Sequence, residues 1–133
     1  MKDIKNFIAE SLEDDDKFIE DVKARYAEVE DPRNVRELKV GDIIDNHFHY
    51  TAQFPQFVRI TDIRKFKILG DILDMRSVRD DGYGQNGSAV ARPTVDKRRG
   101  TAVIKVGRDG RLKSDGGTYP KLWNGKPVDY YTD

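Results

Sequence analysis

The chain has 133 residues, no net charge, 37% hydrophobic and 36% charged residues and a mean hydropathy of -0.76, which suits one compact domain with a densely charged surface. It has no cysteine, so thiol catalysis, cysteine-based zinc sites and disulfides are excluded, and a reducing compartment fits. No run approaches the roughly 18 apolar residues of a membrane span, and the start MKDIKNFIAESLEDDD, with its acidic flank, does not read as a secretory signal. A single cytoplasmic domain over residues 1–133 with no membrane partner is the expectation.

The neutral total hides a division. Residues 1–37 hold seven Lys and Arg against twelve Asp and Glu, including every Glu in the chain, and the remainder holds seventeen against twelve. Within residues 1–32, Ile4, Phe7, Ile8, Leu12, Phe18, Ile19, Val22, Tyr26 and Val29 recur at three- and four-residue spacings, which predicts an amphipathic helix. Asp15 falls inside the apolar stripe, and Asp14 to Asp16 could cap a second helix starting near Lys17, so one helix and a helix pair are both open. The segment should end by Pro32, because the residue before a proline is disfavoured in the α region.

From Leu38 to the end the pattern changes to alternation and turns. ELKVGDIIDNHFHY predicts a strand entering a Gly41-Asp42 turn and then a second strand, and FVRITDIRKFKILGDILDMRSV predicts two strands joined near Asp62 to Lys65. Asn86-Gly87, Asp109-Gly110 and Asn124-Gly125 are hairpin-turn dipeptides, and TAVIKVGRDGRLKS is the clearest hairpin. The expected fold is α+β: the helix or helix pair packed on a small antiparallel β-barrel or curled sheet of five or six strands, about the size of an SH3 domain, spanning 38–133 with a basic excess.

KVGDII, FVRITD and the terminal LWNGKPVDYY resemble a scattered group of small, largely uncharacterised proteins of phages and mobile elements. That group shares a Gly-Asp turn opening the β part, here Gly41-Asp42, and a terminal Trp-Asn/Asp-Gly-Lys-Pro segment, here Trp123 to Pro127. The resemblance covers roughly residues 38–130. It implies a phage-type accessory protein, of which inhibitors of host defence complexes are one class, and it implies no catalytic residue.

Four features carry candidate chemistry. GYGQNG, residues 82–87, has the letters of a phosphate-binding glycine loop, but Pro93 follows too soon for the helix such a loop needs, so a flexible inter-strand loop is expected, with Tyr83 at its tip. The cations Arg92, Lys97, Arg98, Arg99, Lys105, Arg108 and Arg111 could form a nucleic-acid surface, although an overall pI near 6.7 is low for a dedicated binder. Glu13, Asp14, Asp16, Glu20, Asp21 and Glu28 could instead dock on a basic groove, with Tyr83 and, if exposed, Trp123 as aromatic anchors, although the favoured reading of Trp123 is that it covers the core. Asp45, His47 and His49 would share one face of a strand and could ligate a metal, but no further His, Cys or nearby Glu extends the set.

These readings converge on a protein that is not an enzyme, needs no cofactor and binds a host protein or nucleoprotein complex involved in nucleic-acid processing or defence. Direct binding of DNA or RNA by the β part is the alternative, and metal binding through Asp45, His47 and His49 is a further one.

Overall fold

The computed structural model describes residues 4–80 and 86–132, with side chains from Asp14 to Arg79 and from Asn86 onward. One helix, α1 (Ile4–Ala27), packs on a curled antiparallel sheet that forms a half-barrel. No helix among the described residues is long and apolar enough to cross a membrane.

The helix runs through Glu13-Asp14-Asp15-Asp16 without a break. A carboxylate inside an apolar stripe is tolerated only where a cation meets it. Asp15, whose side chain is 4% exposed, lies 3.0 Å from Arg92 Nε and 3.7 Å from Arg76 Nε. Asp14 and Asp16, on either side, face solvent. After Ala27 the chain turns on short-range bonds from the Glu28 and Val29 amides to the Arg25 and Tyr26 carbonyls. Glu37 then accepts from the amides of Glu30 and Asp31, each at 2.8 Å, and a 3₁₀ turn at Val35–Glu37 leads to the sheet.

Nine strands follow among the described residues, where five or six were expected: β1 (Ile43–Asp45), β2 (Phe48–His49), β3 (Gln53–Phe54), β4 (Phe57–Ile63), β5 (Lys67–Asp80), β6 (Gly87–Val95), β7 (Thr101–Lys105), β8 (Lys121–Leu122) and β9 (Val128–Tyr130). The main sheet has the order β8-β1-β4-β5-β6-β9, and β7 pairs with the first part of β5, at Lys67 to Asp71, while β6 pairs with the rest of the strand. β2 and β3 form a separate small hairpin. The strand expected at Leu38 to Val40 is absent: the Asp42 side chain accepts from the Lys39 amide, and the chain turns there instead. The two strands expected over residues 57–78 are β4 and β5, joined at Arg64 to Phe66.

Register explains the core. Ile44 pairs with Val58, Val58 with Ile72 and Ile68 with Ile104, and all five are buried. They join Leu38, Ile60, Val106, Leu112 and Leu122 in one cluster. The alternate residues Ile43, Phe57 and Leu73 go to a second cluster with Val22, Val90, Ala91 and Trp123, against which Phe18 and Ile19 of α1 pack. Gly70 lets β4 and β5 approach: a Cβ there would lie 2.5 Å from both Arg59 O and Val58 Cγ1. The pairing slips by one residue between Ile60 and Asp62, and such a bulge bends a strand and increases its twist.

Asn124-Gly125 is a turn, with Gly125 at φ +83°, and so is Asp109-Gly110, with Gly110 at φ +80°. Asn86-Gly87 is not: Gly87 lies within β6, paired with both Asp80 and Tyr130. The hairpin at residues 101–114 is short, closing through a single Val106–Leu112 bridge beyond β7.

Candidate functional site

Asp45 and His47 meet, but His49 turns away from them, so the three do not converge on one point. β1 stops at Asp45 because Asn46 turns inward, its amide N–H donating to Gln56 O and its side-chain Nδ2 to Gln56 Oε1, both at 2.8 Å. With the strand interrupted, Asp45 reaches the next turn of chain: its Oδ1 accepts from the His47 amide at 3.2 Å and lies 3.0 Å from His47 Nδ1. A carboxylate only accepts, so this contact places the His47 proton on Nδ1. His49 turns to the far end of the chain, where its Nδ1 lies 2.9 Å from the Tyr131 hydroxyl. The Tyr119 ring sits between the two imidazoles, with centroids 5.9 Å from His47 and 6.3 Å from His49. Among the described residues no group of three His, Cys, Asp or Glu side chains could hold a metal ion. The stretch acts as a brace tying the β2–β3 hairpin to residues 119 and 131.

Several residues expected at a nucleic-acid surface are engaged in ion pairs within the molecule. Arg92 is on Asp15, Arg111 is 2.8 Å from Asp31 and Lys105 is 3.0 Å from Asp115. Arg99 has only a long contact, 3.6 Å from Asp96. Lys97, Arg98 and Arg108 are exposed and make no ion pair among the described residues. The charge division of the sequence is therefore partly an internal docking code between α1, the connecting segment and the sheet.

The acidic helix retains more of its charge. Asp14, Asp16, Glu20 and Asp21 are exposed, with no ion pair among the described residues, and Glu28 is 3.3 Å from Arg25. The Glu13 side chain and Tyr83 lie outside the described residues. Trp123 is fully buried: its ring centroid lies 4.7 Å from that of Phe57 and 6.5 Å from that of Phe18, and its Nε1–H donates to Lys126 O at 2.8 Å. It therefore offers no surface to a partner and forms the floor on which α1 rests.

Beside the acidic face lies a cleft of about 360 Å³ between α1 and the Lys39–Ile43 turn, lined by Phe18, Asp21, Arg25, Val40, Asp42 and Trp123 among others. Val40, at its edge, is 61% exposed. The cleft wall is fixed by Arg25, whose Nε and Nη2 donate to the two Asp42 carboxylate oxygens at 2.9 and 3.0 Å, while Nη2 also donates to Glu37 O at 2.6 Å. The hydrogen bond to Asp42 raises the Arg25 pKa against the lowering effect of burial. The planar guanidinium matches the carboxylate in this fork, so the turn holding Val40 is locked to the helix.

A second groove, of about 370 Å³, was not visible in the sequence. Phe54, Pro55, Met75, Ser77, Ala89, Arg99 and Tyr130 line it. The only signal for it is FPQF, an aromatic-proline stretch that continues directly into a strand. No known protein family, curated protein or solved structure matches the chain.

Proposed function

We propose that this is a non-catalytic accessory protein of phage type that docks stoichiometrically on a basic surface of a host nucleic-acid-processing or defence complex. The observation that carries the reading is the outer face of α1, where Asp14, Asp16, Glu20 and Asp21 are exposed and unpaired among the described residues. Uncompensated carboxylates on a rigid helix favour a cationic partner and speed its approach. The adjacent cleft supplies the apolar component: Phe18 and Val40 offer a depression in which a partner side chain is shielded from water, with Asp21 at its edge. The phage context rests on the likeness of the Gly41-Asp42 and Trp123 to Pro127 segments noted in the sequence.

The reading is tested by changing Glu20→Lys and Asp21→Lys together. Both side chains are exposed, so the fold should persist while partner capture from a host extract is lost. Undiminished capture by the reversed protein would sink the proposal.

A further inference from the structure

The groove between the β3–β4 connection and strands β5 and β6 has the chemistry of a base-stacking site, and we infer that it receives a single-stranded nucleic acid. Its apolar surface comes from Met75, Ala89 and Pro55, with two rings, Phe54 and Tyr130, contributed by separate segments. Phe54 is 48% exposed although it is a large aromatic. Tyr130 is held in place by its hydroxyl, 3.0 Å from Ser77 Oγ, so the polar part of the lining is fixed rather than free to rotate.

Arg99 also lines the groove. Its one ion pair is the long contact from Nε to Asp96, and its terminal amino groups make no hydrogen bond among the described residues, so they are available to an anion. Arg98 and Lys97 precede it, both exposed and without ion pairs among the described residues. Aromatic surface beside consecutive cations is what a chain of bases joined by phosphates requires, since stacking is tolerant of sequence and the backbone needs compensating charge.

The surface continues beyond the groove. The Phe54 ring centroid is 6.4 Å from that of Phe48, and Phe48 bridges to Thr118, the neighbour of Tyr119. Tyr119 is 47% exposed and Tyr50, at the tip of the β2–β3 hairpin, is 78% exposed. A small aromatic acid would fill the groove and leave these rings unused, whereas a polymer of bases accounts for both. Among the described residues none of α1 lines the groove, so the carboxylates from Asp14 to Glu28 on which the docking reading rests do not border it, and this inference stands or falls separately from that reading.

The test is fluorescence anisotropy of the full chain with fluorescein-labelled oligothymidylate and oligouridylate at low salt. The wild-type protein should bind at least one of them, with affinity falling steeply as salt rises. Phe54→Ala should weaken binding by about 5- to 100-fold and leave the salt dependence unchanged, because it removes stacking rather than charge. Arg99→Ala should weaken binding and reduce the slope of log affinity against log salt by about 1. Unchanged emission from the buried Trp123 in each variant checks that the fold is intact. Absence of binding to both oligomers, equal binding after Phe54→Ala, or equally effective competition by polyglutamate would each overturn the inference, the last by indicating a general anion or acidic-protein surface. The Glu20→Lys, Asp21→Lys protein should bind the oligomer at least as well as wild type.

Discussion

At the scale of single residues, position within an ion pair separates a structural charge from an available one. The sequence leaves open whether Asp14 to Asp16 break the helix in two; the helix runs through them, and the buried carboxylate of Asp15 is met by Arg76 of β5 and Arg92 of β6. Removing Asp15 takes away the buried carboxylate that Arg76 and Arg92 share. Asp15→Ala should therefore lower stability by about 2 kcal/mol, less than for a fully buried pair because both arginines are about one-third exposed. Chemical denaturation measures this, and a loss within error of zero would show that the pair is incidental. Trp123 carries a different kind of weight: Trp123→Ala should cost about 3–5 kcal/mol through the cavity it opens beneath α1. In the intact protein its emission should be that of a tryptophan shielded from water, moving to longer wavelength on unfolding. Neither burial could be read from composition alone. Apolar periodicity placed Val22 and Phe18 on an inward stripe, but the partner of an aspartate is a property of three segments distant in sequence.

At the scale of elements, the helix and the β4–β5 pair were legible because each has a strong local period. The failures fall where a side chain competes with the backbone pattern. Asp42 takes the Lys39 amide and removes the strand expected before the Gly41 turn. Asn46 bonds to Gln56 and ends β1 two residues before His47, so the common strand face on which a metal reading of Asp45, His47 and His49 depended does not exist. Arg25 joins the helix to the Asp42 turn, and the raised pKa places its transition at strongly alkaline pH. Its contribution is fully present below the unfolded value and is lost only as pH rises through the folded one, so ordinary pH changes do not discharge the guanidinium. Substitution is the test: Arg25→Lys keeps the charge but loses the fork to Asp42, and should cost about 1 kcal/mol in a denaturation experiment. Gly70 makes the corresponding point for the sheet. Gly70→Ala should destabilise by about 1–3 kcal/mol by forcing β4 away from β5, and a neutral result would mean that the strands can separate there without cost.

At the scale of the whole molecule, the opposite charges of the two halves are partly consumed in assembling the fold, and what remains outside is asymmetric. The helix presents Asp14, Asp16, Glu20 and Asp21 beside an apolar cleft, and the turn after β6 presents Lys97 and Arg98 beside an aromatic groove, none of them in an ion pair among the described residues. The acidic surface was legible in the sequence because a helix displays its exposed residues at regular intervals. The groove was not, because Phe54, Met75, Arg99 and Tyr130 come from four separate segments. The central claim is that the acidic face of α1 is the docking surface. Its most direct test is capture of a partner from a host extract by equal amounts of immobilised wild type, the Glu20→Lys, Asp21→Lys protein and a Lys97→Glu, Arg98→Glu control, in buffer treated with nuclease. The account predicts one stoichiometric partner held by the wild type and by the control and lost from the helix variant. Capture that survives reversal of the helix charge would contradict it.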